Sequence, residues 1–306
     1  MFIRSYEDST AQIVATLQQY ASTGVGGYAQ AVDRWLSEAN RGIDDPDKKD
    51  ALRRLFSESH VAVIYGAAGT GKSTMVDHIA SRFNDMRKLF LAQTHPATDN
   101  LRRRVGAQNS EFRTIASHNR LSREDGEFDV VFIDECSTVS NEDLLEVLQG
   151  TSFQLLVLVG DVHQIESIRF GNWFDIIPSF IPNSAIFELT TPFRTTSQAL
   201  LGFWTKVRLD EDDIAEVIAA NGYASPLNES LLAPSGRDEI VLSLNYDGLY
   251  GINNINRFLQ ASNLGSAVTC SSPVSTDEPT SREPHQLMKA LPRSSTDWLK
   301  WRDVGT

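Results

Sequence analysis

The sequence predicts an α/β fold built on an open, doubly wound parallel sheet, with a helical segment before it. Short apolar runs without alternation recur through the middle of the chain, and polar stretches with helical spacing separate them. Such runs are typical of strands that are buried on both faces of a parallel sheet. Because repeated βα units form these sheets, we expect the ligand site at the carboxyl ends of the strands.

Composition limits the possible classes of protein. The 306 residues are enough for about two domains. A formal net charge of −12 argues against a general polyanion binder, so any nucleic-acid contact requires a local basic patch or backbone donors. The two cysteines favour a reducing, cytoplasmic (intracellular) setting over a disulfide scaffold. The longest aliphatic run, Leu155–Val159, is too short to span a bilayer, so we expect no membrane partner.

The first predicted domain, residues 1–50, is a helical segment. Ser9 and Thr10 are predicted to cap a first helix, in which apolar residues then recur at helical spacing. A second helical stripe, with Val32, Trp35 and Leu36, follows a glycine-rich turn. These helices are expected to pack on the core of the following domain.

The second predicted domain, residues 51–200, contains the βα repeats. Five strands are predicted, at Val61–Tyr65, Leu89–Gln93, Val130–Asp134, Leu155–Gly160 and Ala185–Leu189. Three helices are predicted between them, at Lys72–Phe83, Thr98–Val105 and Asn141–Leu148.

The remaining sequence predicts a smaller region and a tail. Residues 201–265 are expected to be helical, with one further strand at Glu239–Leu244 and a helix at Leu249–Leu259. Residues 266–306 are rich in Ser, Thr and Pro, a composition that buries little apolar surface and predicts a loose tail.

The most specific motif is a glycine-rich loop between the first predicted strand and the helix after it. It fits the pattern G-x-x-x-x-G-K-[ST] and consists of Gly66, Ala67, Ala68, Gly69, Thr70, Gly71, Lys72, Ser73 and Thr74. Glycines let the backbone N–H groups face phosphate oxygens, and the helix N-terminus adds partial positive charge. Lys72 is predicted to reach the β- and γ-phosphates of ATP, and Ser73 to ligate Mg²⁺.

A pair of acids ends the third predicted strand. Asp134 is predicted to hold Mg²⁺, and Glu135 to polarise the attacking water as general base. An acidic cap between a strand and a helix is the simpler interpretation of the pair taken alone. Because the two acids occur together with the phosphate loop, the catalytic interpretation is favoured.

Two further residues follow later strands. Gln164, after the strand Leu155–Gly160, could sense the γ-phosphate or hold the water. Arg194, after the last predicted strand, could reach the γ-phosphate as an arginine finger supplied by the same chain. Each residue taken alone also fits a solvated surface position.

Together these motifs, in this order, resemble those of superfamily 1 helicases of the RecD-like and Upf-like group. Gly160-Asp161-x-x-Gln164 and Phe193-Arg194 are similar to the third and fourth motifs of the family, and the match runs from about residue 51 to residue 195. The resemblance implies a RecA-like P-loop NTPase fold, ATP hydrolysis with Mg²⁺, and action on single-stranded nucleic acid, with DNA favoured over RNA.

The resemblance also implies a nucleic-acid contact surface. The segment from Leu91 to Leu101 resembles the motif that touches a single strand in this family, and a T-I element follows it. The residues carried over for this role are Thr94, His95, Arg102 and Thr114. Arg102 belongs to a run of three arginines that could face nucleic-acid phosphates or solvent.

Three departures from the family matter, and the first is His95, which stands where the family commonly carries Asn in the segment that touches a single strand. The family often has a Gln about seventeen residues before the loop that reads adenine, and Lys49 stands at that position here. Residues 239–260 resemble the start of the family's second motor lobe, but the later motifs of that lobe do not follow. The sequence therefore predicts an incomplete C-terminal lobe. A partner chain could supply the missing part. The alternatives are a nucleotide-dependent switch or scaffold that does not unwind, or a truncated helicase remnant.

Overall fold

A six-stranded, all-parallel sheet organises the computed structural model, which describes residues 2–38, 43, 45–121, 127–164, 167, 171–193, 195–224, 243, 245–248 and 251–262. The chain divides into two units, Met1–Thr196 and Ser197–Thr306, and the sheet belongs to the first. The predicted division of this first unit after residue 50 stays a prediction.

The strands follow the order β3-β2-β4-β5-β1-β6 across the sheet. In chain order they are β1 (Val61–Gly66), β2 (Lys88–Ala92), β3 (Ser110–Thr114), β4 (Val130–Ile133), β5 (Leu155–Gly160) and β6 (Ile186–Leu189). Strand β5 lies between β1 and β4, with Tyr65 paired to Gly160 and Ile133 to Leu158. The loops that follow β1, β4 and β5 therefore leave the same edge of the sheet.

Helices cover both faces of the sheet, which explains the uninterrupted apolar runs. In the first unit they are α1 (Phe2–Tyr20), α2 (Tyr28–Glu38), α3 (Pro46–Arg54), α4 (Lys72–Arg82), α5 (His95–Arg104), α6 (Ile115–His118), α7 (Asn141–Gly150) and α8 (Trp173–Ile176). Ile64 and Phe132 pack with residues of α2 to α5 on one face. Val63 and Ile133 pack with residues of α1, α7 and α8 on the other.

The first helix differs from its prediction at the N-terminal end. It begins at Phe2, and Thr10 lies inside it, where its hydroxyl donates to the Tyr6 carbonyl at 2.9 Å. That hydroxyl also accepts from the Asn141 side chain at 2.6 Å, which joins α1 to α7. The predicted cap at Ser9 and Thr10 is therefore wrong, because Thr10 contributes to helix packing instead.

Strand β3 is absent from the sequence prediction. It reads Ser-Glu-Phe-Arg-Thr and lies at the edge of the sheet, and its first four residues are partly exposed. An edge strand with one neighbour does not require an apolar run. Only its pairing with β2, from Lys88–Ser110 to Ala92–Thr114, reveals it.

Helix α5 begins three residues before its predicted start. Thr94 has an extended backbone, and its hydroxyl accepts from the Ala97 N–H at 3.3 Å. A capping threonine followed by proline in the first turn fixes a helix start, because proline lacks an N–H that would be unpaired there. The helix therefore starts directly at the end of β2.

The second unit contains three helices among its described residues: α9 (Gln198–Leu209), α10 (Ile214–Ala220) and α11 (Ile252–Ser262). Phe203 and Tyr223 pack with their ring centroids 5.2 Å apart. The Lys206 ammonium pairs with Glu211 at 2.6 Å and Asp213 at 2.9 Å, which closes the turn between α9 and α10. The predicted strand Glu239–Leu244, apart from Ser243, and the tail 266–306 lie outside the described residues.

None of the helices in the described part of the chain is long and apolar enough to cross a bilayer.

Candidate functional site

The glycine-rich loop joins β1 to α4 at the carboxyl edge of the sheet. Gly71 caps α4 with a φ of 92°, a left-handed conformation that glycine adopts without strain. The Lys72 ammonium donates to the carbonyl oxygens of Gly66 at 2.6 Å and Ala67 at 3.1 Å. The lysine therefore folds back over the loop, where a phosphate would offer it stronger acceptors than carbonyl oxygens.

Asp134 and Glu135 lie two strands away, directly after β4. The Asp134 N–H donates to the Leu91 carbonyl at 2.9 Å, which joins the strand end to β2. Glu135 has a φ of 56°, and a non-glycine residue held in the left-handed region costs about 1–3 kcal/mol. Its N–H donates to the Asp134 carboxylate at 2.9 Å, and its carbonyl accepts from the Thr138 hydroxyl at 2.8 Å. These contacts fix the turn that presents both acids.

The electrostatics of Asp134 tie it to the phosphate loop. Burial, and secondarily the neighbouring Glu135 carboxylate, raise the pKa of Asp134 to about 6, against the opposing effects of the Glu135 N–H, Lys72 and Arg104. A buried carboxylate under repulsion from a second acid gains from a nearby cation. The positive charge of Lys72 is thus one of the groups that oppose the effect of burial on the pKa of Asp134.

Ser73 and Asp134 fit a magnesium ion by their chemistry, a hydroxyl and a carboxylate oxygen. Mg²⁺ commonly takes one or two protein oxygens and completes its shell with water and substrate phosphates. Among the residues that the structure describes, no group of three or more His, Cys, Asp or Glu side chains forms a metal site of its own. The donor set therefore suits a metal that arrives with a nucleotide.

Arg104, at the end of α5, was not singled out from the run of three arginines. Its guanidinium lies 3.4 Å from the Ser73 hydroxyl. Arg102 instead donates to Asp99 at 2.8 Å and to the Phe112 carbonyl at 3.3 Å. Successive helical residues point about 100° apart, so the three arginines cannot form one face. Helical geometry could have separated them, but the sequence alone does not reveal which one turns toward the loop.

Lys48 of α3, rather than Lys49, lies beside the loop. Its ammonium is 5.0 Å from the centre of the Phe193 ring, and it would be 3.7 Å from a Cβ atom at Gly71. Lys49 is one residue further along the helix, so it projects in a different direction. Lys48 is therefore the lysine of α3 that lies beside the loop, and the correspondence of Lys49 to the adenine-reading position of the family stays a prediction.

Phe193 is attached to the loop through its backbone. Its N–H donates to the Gly69 carbonyl at 2.9 Å, while its side chain is 63% exposed. This contact brings the segment after β6 to the phosphate loop. Arg194, the predicted arginine finger, lies outside the described residues.

An open cavity of about 240 Å³ adjoins the loop on the side of α3 and β6. Its lining includes Thr70, Phe187 and Phe193, together with four acids, which are Asp45, Asp47, Asp50 and Glu188. The Arg54 guanidinium also lines the cavity and pairs with Asp50 at 3.3 Å, so the charge there is mixed.

Gln164 lies in the turn after β5. Its N–H donates to the Asp161 carbonyl at 3.1 Å, and its side chain is exposed. Asp161 is buried and accepts from the His163 N–H at 3.1 Å. The turn leaves the same edge of the sheet as the phosphate loop, and a role for Gln164 in hydrolysis stays a prediction.

The residues predicted to touch nucleic acid are in different environments. Thr94 and His95 are exposed at the start of α5. Thr114 is buried, and its hydroxyl caps α6 by accepting from the Ser117 N–H at 3.2 Å. Arg102 is held near the edge strand β3. Thr94, His95 and Arg102 are thus exposed and Thr114 is not, and all four assignments stay predictions.

The phosphate loop, the paired acids and the parallel sheet define a P-loop nucleotide-binding protein of the α/β class. Within that class the chain belongs to the AAA domain family, whose model matches residues 45–225. The family match and the all-parallel sheet confirm the predicted α/β P-loop NTPase fold. No curated protein matches the sequence.

Among solved structures, the chain is similar to the Pif1 helicase from Candida albicans, with 21% identity over 81% of this chain and 61% of that one, at a TM-score of 0.48. Similarity to a Bacteroides sp. Pif1 in complex with ADP-AlF4 covers 73% of this chain and 57% of that one, with 16% identity and a TM-score of 0.49. The chain therefore spans less than two thirds of either protein.

Proposed function

We propose that this chain is an ATP-binding and ATP-hydrolysing motor domain of the superfamily 1 helicase type that acts on single-stranded nucleic acid. The observation that carries the proposal is that the loop with Lys72 and Ser73 and the turn with Asp134 leave the same carboxyl edge of one parallel sheet. P-loop enzymes use this set to bind the phosphates of a nucleotide together with its metal ion.

Each residue has a defined task in this proposal. Lys72 exchanges its bonds to the Gly66 and Ala67 carbonyls for the β- and γ-phosphates of ATP. Ser73 and Asp134 hold Mg²⁺, which neutralises charge on the phosphates when bound. Glu135, exposed beside Asp134, orients and polarises the attacking water. Gln164 is proposed to sense the γ-phosphate or hold the water, and Arg194 is proposed to reach the γ-phosphate as an arginine finger.

The nucleic-acid part of the proposal rests on the carboxyl end of β2. Thr94 and His95 are exposed where α5 begins, and a helix N-terminus offers unpaired N–H groups to a phosphate backbone. Single-stranded DNA is the favoured partner, with a partner chain proposed to complete the second lobe. The two cysteines favour a reducing compartment, which supports an intracellular location.

The test is the ATPase rate of the 306-residue chain with and without single-stranded DNA or RNA, using Lys72→Ala as the control for contaminating activity. Stimulation by either nucleic acid supports a motor domain. ATP binding with a rate that neither nucleic acid changes would instead support a nucleotide-dependent switch or scaffold. We expect a weak basal rate and no unwinding of a duplex with a 5′ tail, because the motifs of a second lobe are incomplete.

A further inference from the structure

Arg104 reaches the metal side of the phosphate loop from a different helix. Its guanidinium Nη1 lies 3.4 Å from the Ser73 hydroxyl oxygen, although Arg104 is the last residue of α5 and Ser73 belongs to the first turn of α4. The segment after α5 is tied to α4 as well, because the Gly106 N–H donates to the Asp77 carboxylate at 3.0 Å. Two contacts therefore hold the end of α5 against α4.

The neighbouring arginines are engaged elsewhere, so the contact is specific to Arg104. Arg102 bonds Asp99 and the Phe112 carbonyl, and its guanidinium lies 5.5 Å from the centre of the Phe112 ring. The Arg103 guanidinium donates to the Asp99 carbonyl of its own helix at 3.3 Å. Arg103 thus provides a matched control, with the same charge one residue away and no contact to Ser73.

We propose that Arg104 is a substrate-contacting residue that donates to the terminal phosphate of bound ATP. The inference rests on the proposed function. Ser73 and Asp134 are the residues that would hold the metal, and Arg104 is the cation that α5 brings next to Ser73. The Ser73 hydroxyl, at 3.4 Å, is a weak acceptor for Arg104. The charged oxygens of a phosphate would accept stronger hydrogen bonds from the planar guanidinium group.

The contact with Ser73 places Arg104 beside the residue that is proposed to hold the metal, in the first turn of the helix after the phosphate loop. Because ADP lacks the terminal phosphate, the contact predicts a preference for ATP over ADP.

The experiment compares the affinities of the wild-type chain, Arg104→Gln, Arg104→Lys and Arg103→Gln for ADP and for a non-hydrolysable ATP analogue, by calorimetric titration with Mg²⁺. We expect Arg104→Gln to weaken binding of the ATP analogue by about ten- to a hundredfold, the range for a hydrogen bond to a charged group. ADP affinity is expected to stay unchanged. Arg104→Lys should recover part of the loss, and Arg103→Gln should match the wild type.

The outcomes separate the inference from the proposed function. Unchanged affinity of Arg104→Gln for the ATP analogue, or an equal loss for both nucleotides, overturns the role of Arg104 alone. A wild-type chain that binds neither nucleotide overturns the proposed function and the inference with it. Arg104 is exposed, so the substitution should leave the melting temperature unchanged. If Arg104→Gln showed no melting transition, the affinities of Arg104→Lys and Arg103→Gln for the ATP analogue would be compared instead. A weaker affinity of Arg104→Lys than of Arg103→Gln would support the role of Arg104, and equal affinities would overturn it.

Discussion

The Lys72 ammonium donates to the Gly66 carbonyl at 2.6 Å, so the side chain that follows the loop closes back onto the residue that starts it. Burial raises the pKa of Asp134, which follows a strand two positions away in the sheet, and the Lys72 ammonium is one of the groups that oppose this rise. One lysine therefore links the phosphate loop to the predicted metal ligand.

Replacing Lys72 by Ala should lower the ATP hydrolysis rate by about 10²–10³, because one preorganised charged contact to the transferred phosphate is lost. ATP affinity should fall as well. Steady-state phosphate release measures the rate, and Lys49→Ala, which removes the same charge from α3, serves as the control. A Lys72→Ala rate within about threefold of the wild type would contradict the assignment of the loop.

Replacing Glu135 by Gln should slow turnover by about 10²–10⁴ and leave ATP and Mg²⁺ binding nearly intact, because only the base that activates water changes. Single-turnover hydrolysis and a fluorescent-nucleotide titration separate the two effects. Asp134→Asn is the matched comparison and should instead raise the Mg²⁺ concentration needed for half-maximal activity. Loss of ATP binding in Glu135→Gln would make Glu135 a structural residue.

Gly160 ends β5 where the Phe174 ring leaves no space for a side chain. A Cβ atom there would lie 2.5 Å from Phe174 Cε1 and 3.3 Å from the Cys136 nitrogen. We expect Gly160→Ala to lower the free energy of unfolding by about 1–3 kcal/mol through overpacking. Urea unfolding followed by circular dichroism measures it.

Gly150, the last residue of α7, is the control for Gly160, because a Cβ atom there meets nothing within 4 Å. Gly150→Ala should leave stability unchanged or raise it by up to about 1 kcal/mol, since alanine favours helix more than glycine does. If the two substitutions changed the free energy of unfolding equally, the Phe174 ring would not be what restricts the size of the side chain at residue 160.

His118 gives a prediction for the pH dependence of stability. It is buried, with Nε2 2.7 Å from the Thr151 hydroxyl and Nδ1 3.3 Å from the Arg113 guanidinium. Burial first, and then Arg113, lower the pKa of His118, against the opposing charge of Glu111. The unfolded chain therefore binds a proton more readily than the folded one. The contribution of His118 to stability is lost as the pH falls below about 6.5.

We expect His118→Gln to reduce the fall in the free energy of unfolding between pH 7 and pH 5, by up to about 1.4 kcal/mol per pH unit. Urea unfolding at several pH values measures the difference from the wild type. Asp134 acts with the opposite sign, because its raised pKa makes the folded state bind the extra proton. Its effect is common to both proteins and cancels in the difference. Parallel pH profiles would show that His118 does not titrate differently in the folded state.

The sheet was largely predictable because its signal is local. The runs that became β1, β4 and β5 are apolar on both faces, and the structure moves their ends by at most one residue. The phosphate loop is equally local, since a strand, a fixed glycine spacing and a helix follow each other directly along the chain. Features of this kind can be predicted from local composition and residue spacing, because they do not depend on residues that are distant in sequence.

By itself the sequence determined the fold class, the loop around Lys72 and the acids Asp134 and Glu135. Only the tertiary structure decided that β3 is a strand, that Lys48 faces the loop and that Arg104 reaches Ser73. These three depend on pairing between strands or on the direction in which a helix presents each side chain. Such relationships are set by packing between elements that are distant in sequence, so local composition does not encode them.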